Sequence, residues 1–370
     1  MKLKKLPAFQ TLISPALGIL ACVFLILVFG KTPAAALKSL FTQTFTSAYY
    51  FGNMLNTAAF FMLAGSGSAI AIKSGNMNLG GEGQIYAGGF VGCVLLNALP
   101  FSAPISFFIA LTASAAVGAL MALFSAMLKE LRDARVLLTT FLVSAAAIPF
   151  IDGLITASKN SSMTNMLALP YIADEYKLPQ LLPPSPLSWS LPLAAVVCLA
   201  LWWLMFRTQT GRKLQLWGTA PQFATYCGYS TRANVYLTLA ASGALHSLTG
   251  FFAVTGTYHT CHKGFYTNMG WNALNVALIA KSNPLAVIPV SLLLSWIFTS
   301  ASRVALTQGF AFDIAGIVQS VILFSIAIPF VRKALAGQAA GIGSATPHAS
   351  RGAADSLGTQ DNQNNTGGTA

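Results

Sequence analysis

The stretch Gly75-Asn76-Met77-Asn78-Leu79-Gly80-Gly81-Glu82-Gly83-Gln84 separates two long apolar segments, residues 53–72 and 85–99. It combines a carboxylate, side-chain amides and four glycines, which allow close approach of backbones. Irregular backbone at membrane depth is tolerated only where protein or a water-filled cavity satisfies its polar groups. The stretch therefore indicates either a broken helix facing a translocation path, or a tight cytoplasmic turn. In the turn, Asn78 would be the N-cap and Glu82 would lie in the first helical turn, where the helix dipole favours an anion.

The composition is that of an integral membrane protein. Of 370 residues, 55% are apolar and only 8% are charged, and a soluble chain of this size could not cover its surface with so few polar groups. The partner implied is the lipid bilayer, and the net charge of +12 is not taken as a sign of nucleic-acid binding. Five cysteines, three of them within apolar segments, do not suggest a disulfide framework.

The apolar segments predict an all-α membrane protein with about ten transmembrane helices. The eighth is too short to span a bilayer unaided, so we expect it to pack among its neighbours and with the polar segment before it. Similar small-residue stretches at 64–67 and 241–244 leave open two halves related as inverted repeats. The predicted helices lie near residues 9–30, 52–73, 83–99, 104–128, 136–157, 190–206, 235–255, 270–281, 285–305 and 314–331.

The lysines and arginines predict the orientation. With the N-terminus inside, fifteen of them fall on the inner side and six on the outer side, which places both termini in the cytoplasm. The first segment is long enough to be a retained helix rather than a signal peptide. The outer loop at 158–189 is expected to be solvated and partly extended. We divide the chain into a transmembrane domain, residues 1–337, and a disordered cytoplasmic tail, residues 338–370.

The largest inner loop, residues 207–234, contains a predicted short helix. Thr219 and Gln222 have capping-box spacing, Pro221 falls in the first turn, and Gly228 suits a C-terminal stop. A helix of this length is not stable alone in water, so it must rest on the membrane domain, on a partner, or on both. The alternative is an interfacial helix that only closes the loop.

Four ordered motifs across residues 52–333 resemble one family of proteins. The first is Asn-Leu-Gly-x-Glu-Gly-Gln at 78–84, and the second is the segment that leads into the inner loop, residues 206–212. The third is Gly-x-x-Pro-x-x-Ala-x-Tyr-x-Gly at 218–228 with the small-residue segment after it. The fourth is residues 270–285, which end in Asn-Pro-Leu. This combination is similar to permeases of ATP-binding-cassette importers in the branched-chain amino acid, ribose and nucleoside group. The residues of these motifs are most similar to those of the larger of two permease subunits in nucleoside uptake systems.

The resemblance implies an inner-membrane subunit of an importer with a type II-like fold. It implies ATPase subunits, a second and non-identical permease, and an external solute-binding protein as partners. ATP hydrolysis would occur in a separate subunit, because this chain shows no phosphate-binding loop of the Gly-x-x-x-x-Gly-Lys-Ser/Thr type, and we expect no enzyme activity of its own. The resemblance assigns ATPase coupling to Gly218, Thr219, Pro221, Gln222, Phe223, Ala224, Tyr226 and Gly228.

Several polar residues are candidates for the translocation pathway or its gating: Asn78, Glu82, Gln84, Asn272 and Asn275. Asn272 and Asn275 share one helix face and could bind solute or bond between helices. Glu82 and Gln84 could line the path or fix the broken helix to its neighbours. His246 could likewise face the pathway or be satisfied inside the bundle. The cluster His259, Cys261 and His262 lacks a fourth ligand, so we expect no metal and no cofactor.

The resulting hypothesis is uptake of a nucleoside or nucleoside-like solute. Riboflavin and simple sugars are alternatives within the same class. A secondary transporter driven by an ion gradient is the competing class, since Glu82, Asp152 and Asp313 could bind a coupling ion. A scaffold without transport activity is a third possibility, which the polar, glycine-rich interior disfavours.

Overall fold

The computed structural model describes residues 7–158, 166–310 and 312–343, and this part of the chain is almost entirely helical. A 3₁₀ turn occupies Asp174–Tyr176, and a π-helical turn, Val254–Tyr258, follows the tenth helix. The helices are α1 Pro7–Phe29, α2 Pro33–Thr46, α3 Ala48–Lys73, α4 Gly81–Ala98, α5 Ala103–Arg132, α6 Val136–Ala157, α7 Ser190–Arg207, α8 Gln209–Thr219, α9 Pro221–Tyr226, α10 Thr231–Ala253, α11 Met269–Ile279, α12 Pro284–Gln308 and α13 Ile314–Gly343.

All ten predicted segments are helical, and the all-α membrane class is confirmed. Six helices within the described ranges are long and apolar enough to cross a membrane: α3, α5, α6, α7, α10 with its π-helical turn, and α12. Shorter apolar stretches lie at Ile13–Phe29, Met269–Ile279 and Ile314–Ile328. The number of ten spans therefore stays a prediction. The sequence did not predict α2 and α8, which are too short or too polar to give a membrane signal.

The centre of the bundle is formed by α3 and α10. α10 packs against α3, α4 and α5, and α3 also packs against α7, α11 and α12. Both central helices are rich in small residues, which allow membrane helices to approach closely. For example, a Cβ atom on Gly67 of α3 would lie 3.1 Å from the carbonyl oxygen of Ser242 in α10. In contrast, α5, α6 and α7 expose large apolar side chains such as Leu120 and Phe150, as expected of helices that face lipid.

The chain divides into a compact unit that ends at Ser325 and a second unit that begins at Ile326. The described part of the second unit is the end of α13, which reaches Gly343 and so includes the first residues of the predicted tail. Residues 344–370 of that tail lie outside the described residues. The boundary predicted at residue 337 stays a prediction.

The outer loop differs from its prediction. Its residues 159–165 lie outside the described ranges, but the following segment pairs with the chain after α10. The Leu169 N–H donates to Cys261 O at 3.0 Å, and the Ile172 N–H donates to His259 O at 2.9 Å. Ile172 and Tyr176 are buried. The loop is partly extended, as predicted, but it packs on the bundle because these apolar side chains are removed from solvent there.

Candidate functional site

The polar loop, residues 74–80, joins α3 to α4 and is enclosed by protein. Asn78 donates through Nδ2 to Gln84 Oε1 at 2.9 Å and to Ser242 Oγ at 3.0 Å. Its Oδ1 accepts from the Gly80 N–H at 2.9 Å. Because α4 begins at Gly81 with Gly80 at the N-cap position, the prediction of Asn78 as N-cap is wrong. Its side chain instead holds the loop to α4 and α10.

Further hydrogen bonds attach the polar loop and the start of α4 to α6 and α10. Asn76 Nδ2 donates to Thr238 Oγ1 at 3.0 Å, and the Leu79 N–H donates to Thr140 Oγ1 at 3.1 Å. The Gly83 N–H donates to Ser144 Oγ at 2.7 Å. Side chains of neighbouring helices thus satisfy the backbone groups that the helix break exposes, as an apolar surrounding requires.

Glu82 lies in the first turn of α4, opposite the N-terminus of α11. The backbone amides of Asn268, Gly270 and Trp271 lie close enough to interact with its carboxyl group. The contact is close, since a Cβ atom on Gly270 would lie 2.5 Å from the Glu82 nitrogen. Glu82 Oε1 is buried and has no hydrogen bond to the described residues. Two helix N-termini therefore face one carboxyl group, and their dipoles offset part of the cost of burying it.

His246 is satisfied inside the bundle. Its Nδ1 lies 2.7 Å from Ser242 O, and its Nε2 lies 3.1 Å from Ser68 Oγ. Because a carbonyl oxygen can only accept, Nδ1 carries the hydrogen and Nε2 accepts from the Ser68 hydroxyl. The ring also touches the start of α4, where a Cβ atom on Gly81 would lie 2.9 Å from His246 Cδ2. The geometry therefore favours the interior alternative for this histidine.

The two asparagines of α11 are both buried, but only one lines a cavity. Asn272 lines a cavity of about 490 Å³, and its Oδ1 has no hydrogen-bond partner among the described residues. Asn275 is fully buried, and neither of its amide atoms is paired within that part of the chain. Asn78, Glu82 and Gln84 do not belong to the cavity wall. The predicted pathway residues therefore lie at different places. Asn78, Glu82 and Gln84 lie at the polar loop and the start of α4, and Asn272 lies in the cavity wall.

The cavity is formed by the first half of α3, the π-helical turn, the start of α11 and the facing ends of α12 and α13. Sequence reasoning missed most of its wall. Asn56 lines it and donates through Nδ2 to Thr257 Oγ1 at 2.9 Å. The Arg303 guanidinium lies 3.6 Å from the centroid of the Tyr50 ring. A signal was present, because Asn53, Asn56 and Thr57 form one polar face in the otherwise largely apolar first half of α3.

The predicted coupling helix is present as α9, with a different start. Thr219 is the last residue of α8, and its hydroxyl donates to Gln215 O at 2.9 Å, so its prediction as an N-cap in a capping box is wrong. Pro221 lies in the first turn, as predicted, and is the first residue of α9. Gly228 follows α9 with a φ of +76°, a left-handed conformation that suits a glycine stop.

The helix α9 presents an exposed aromatic face. Phe223 is 57% exposed and Tyr226 is 90% exposed, whereas Ala224 is buried. Gln222 is also exposed. Exposed aromatic side chains on a polar surface are typical of protein contact sites.

The preceding helix α8 is anchored to the bundle. Leu214 and Trp217 are buried, and Gly218 packs on the carbonyl oxygen of Lys73 at the end of α3. A Cβ atom on Gly75 would lie 3.3 Å from the Gly218 Cα. A continuous contact therefore runs from α9 through α8 to the polar loop.

Comparison with known proteins agrees with this architecture. Residues 50–327 match a family described as branched-chain amino acid transport system, permease component. A Treponema pallidum (strain Nichols) protein named a probable riboflavin import permease is 30% identical over 315 residues, which cover 85% of this chain and 84% of that protein. The guanosine ABC transporter permease protein of Bacillus subtilis (strain 168) is 24% identical, covering 88% of this chain and 95% of the relative. The glucose ABC transporter permease protein of Haloferax volcanii is 26% identical, covering 89% and 91%.

The family match spans most of the chain, and the alignments cover 84–95% of the length of these relatives. Permeases of this kind are transport subunits that act with ATPase and binding-protein subunits. The chain is therefore a multi-pass membrane protein that belongs to the family of branched-chain amino acid transport system permease components.

Proposed function

We propose that this chain imports a nucleoside or nucleoside-like solute across the inner membrane, driven by ATP hydrolysis in a separate subunit. In this proposal α9 docks on the ATPase, a second and non-identical permease completes the membrane part, and a solute-binding protein delivers the substrate from outside. The observation that carries the proposal is the exposed aromatic face of α9, at the end of an anchored helix that contacts the polar loop.

The proposed orientation places α8, α9 and both termini in the cytoplasm. Basic residues at the bundle end that carries α8 and α9 support this, since cytoplasmic loops are enriched in lysine and arginine. Lys73 ends α3, Arg207 ends α7, and Arg232 begins α10, where its Nε lies 3.1 Å from Glu130 Oε2.

In the proposed cycle, movement of α9 reaches the polar loop through the contact of α8 with α3. Asn78, Glu82 and Gln84 then act in gating, because their bonds join α4 to α10 and α11. Asn272 lies on the solute path. Asn275 adjoins it on the same face of α11 and adjusts the local packing.

The proposed substrate class is based on the relatives and on the residues of the four sequence motifs. A guanosine permease is similar to this chain over almost its whole length, which favours a nucleoside. Riboflavin is the second candidate, because the riboflavin import relative is 30% identical. Both solutes combine a flat nitrogen heterocycle with a hydroxylated chain or sugar.

The docking role of α9 is tested by Phe223→Asp in the assembled complex. The added charge replaces an exposed aromatic contact, so we expect loss of most substrate-stimulated ATPase activity. Ser102→Asp is the control, since it adds the same charge at an exposed helix N-cap, where aspartate is favoured. Full stimulated activity of the Phe223→Asp complex would show that α9 does not dock there.

The substrate is tested by uptake of labelled guanosine into proteoliposomes that contain the complex and its binding protein. We expect uptake to require ATP on the side of the ATPase subunits, and to be blocked by nucleosides but not by riboflavin or ribose. Competition by riboflavin would replace the nucleoside assignment with the second candidate. Uptake driven by an ion gradient without ATP would overturn the proposed mechanism.

A further inference from the structure

The cavity beside Asn272 has the size and chemistry of a binding site for a small solute. Its volume of about 490 Å³ lies within the usual range for ligand pockets. It lies in the half of the bundle where α3 and α13 begin and α10 and α12 end. The junction of α8 with Lys73 lies at the opposite end of α3, so the cavity opens away from α9.

Two amide oxygens of the cavity wall have no hydrogen-bond partner within the part of the chain that the structure describes. They are Oδ1 of Asn56 and Oδ1 of Asn272, and both side chains are more than nine-tenths buried. Asn56 already uses its Nδ2 on Thr257, which fixes its oxygen as the free group. An unpaired buried acceptor is costly, so the two positions favour a solute that brings N–H or O–H donors.

The cavity wall also contains aromatic side chains. Phe60 and Phe298 line the cavity on the α3 and α12 sides, and both are buried. Tyr50 stands nearer the start of α3, under the Arg303 guanidinium. Aromatic faces stack favourably on flat rings, which selects a ring-bearing solute.

In the described part of the cavity wall, charged side chains lie towards the end of α12 and just before the start of α13. Arg303 and Asp313 are the charged residues among the described lining residues. Arg303 lies just before the last turn of α12, and Asp313 immediately precedes α13. Around Asn56 and Asn272 the wall is neutral. A charged group bound beside Asn56 and Asn272 would therefore be unpaired, whereas a neutral ring would not. Arg303 and Asp313 offer partners for charged groups elsewhere in the cavity.

We infer that this cavity binds the transported solute within the permease, and that the part of the solute beside Asn56 and Asn272 is uncharged, with a flat ring and at least two hydrogen-bond donors. Asn56 and Asn272 accept from those donors. The inference rests on the proposed function and adds to it a binding site and a substrate class.

Uptake kinetics of the full complex test this assignment with guanosine as the probe. Asn56→Ala and Asn272→Ala each remove one acceptor, so we expect the KM for guanosine to rise about tenfold. Asn97→Ala is the matched control, because Asn97 is an exposed amide on α4 outside the cavity. Unchanged KM values in both cavity variants would overturn the assignment.

A second measurement does not depend on the folding of those variants. Ser302→Cys places a thiol at an exposed position of the cavity wall, in a Cys227→Ser background that leaves only buried native cysteines. We expect guanosine to slow labelling by a charged maleimide severalfold, and glycine to have no effect. Equal labelling rates at guanosine concentrations that saturate uptake would contradict the site while leaving the proposed function intact. Absence of ATP-dependent uptake by the unmodified complex would instead overturn the proposed function, and this inference with it.

Discussion

Gly218 of α8 packs against the carbonyl oxygen of Lys73 so closely that no Cβ atom fits between them. The obstacle is backbone rather than a flexible side chain, so neither partner can give way by a rotamer change. Lys73 is the last residue of α3, and the polar loop begins directly after it. In the proposed cycle, a displacement of α8 is therefore transmitted to the loop that carries Asn78.

This contact predicts the effect of Gly218→Ala. The added methyl group must push α8 away from α3, at a cost of about 1–3 kcal/mol, typical of overpacking. We expect substrate-stimulated ATPase activity to fall severalfold, although the exposed face of α9 is unchanged. Gly153→Ala is the control, because a Cβ atom on Gly153 of α6 would have no neighbour within 4 Å. Equal activity of the two variants would argue against transmission through α8.

A second prediction concerns Asn78. Asn78→Ala removes the bonds to Gln84 and Ser242 and leaves buried partners unpaired, so the free energy of unfolding should fall by about 1–3 kcal/mol. Thermal unfolding of the complex in detergent measures this. The exposed amide of Gln180 gives the comparison, and Gln180→Ala should change stability by about 0.5 kcal/mol or less. A shift of similar size in both variants would mean that the polar loop is not held by Asn78.

The sequence predicted the helices of this protein well where their signal is apolar length. All ten predicted segments are helical, because a membrane span must be a nearly continuous apolar run. The missed helices, α2 and α8, carry polar residues on exposed faces. The N-cap roles given to Asn78 and Thr219 failed for another reason, since cap spacing recurs wherever a polar residue precedes a helix. Tertiary contacts, such as Asn78 with Ser242, decided which bonds formed.

The candidate site was only half predictable. The polar stretch at 75–84 was conspicuous because it interrupts apolar sequence, and Asn272 stood out on a short apolar helix. The rest of the cavity wall comes from segments far apart in the chain, such as Asn56 on α3 and Gln319 on α13. One sequence without its fold does not show that these residues converge. Small polar residues in membrane helices serve packing as often as binding.

A third prediction separates the two roles considered for His246. Glutamine keeps a donor and an acceptor, whereas leucine removes both bonds, to Ser242 O and to Ser68 Oγ. We expect His246→Gln to be more stable than His246→Leu by about 1 kcal/mol in thermal unfolding. The KM for solute should be the same in His246→Gln and in the unmodified complex. A raised KM in that variant would place His246 on the solute path instead.

The last prediction concerns the charge of Glu82, which faces the N-terminus of α11. Glu82→Gln keeps the shape of the side chain but removes both its interaction with the helix dipoles and the larger cost of burying its charge, so we expect stability to rise by about 1 kcal/mol or less. Glu175→Gln removes a charge from an exposed loop position and serves as the control.

Uptake measurements on the same variants then test the gating role of Glu82. If this carboxylate holds α4 to α11 during the cycle, Glu82→Gln should lower the maximal rate of uptake several-fold, with little change in KM, because Glu82 does not line the cavity. A higher KM at an unchanged maximal rate would show that the carboxylate acts on the solute, since only the concentration needed for uptake would then depend on it.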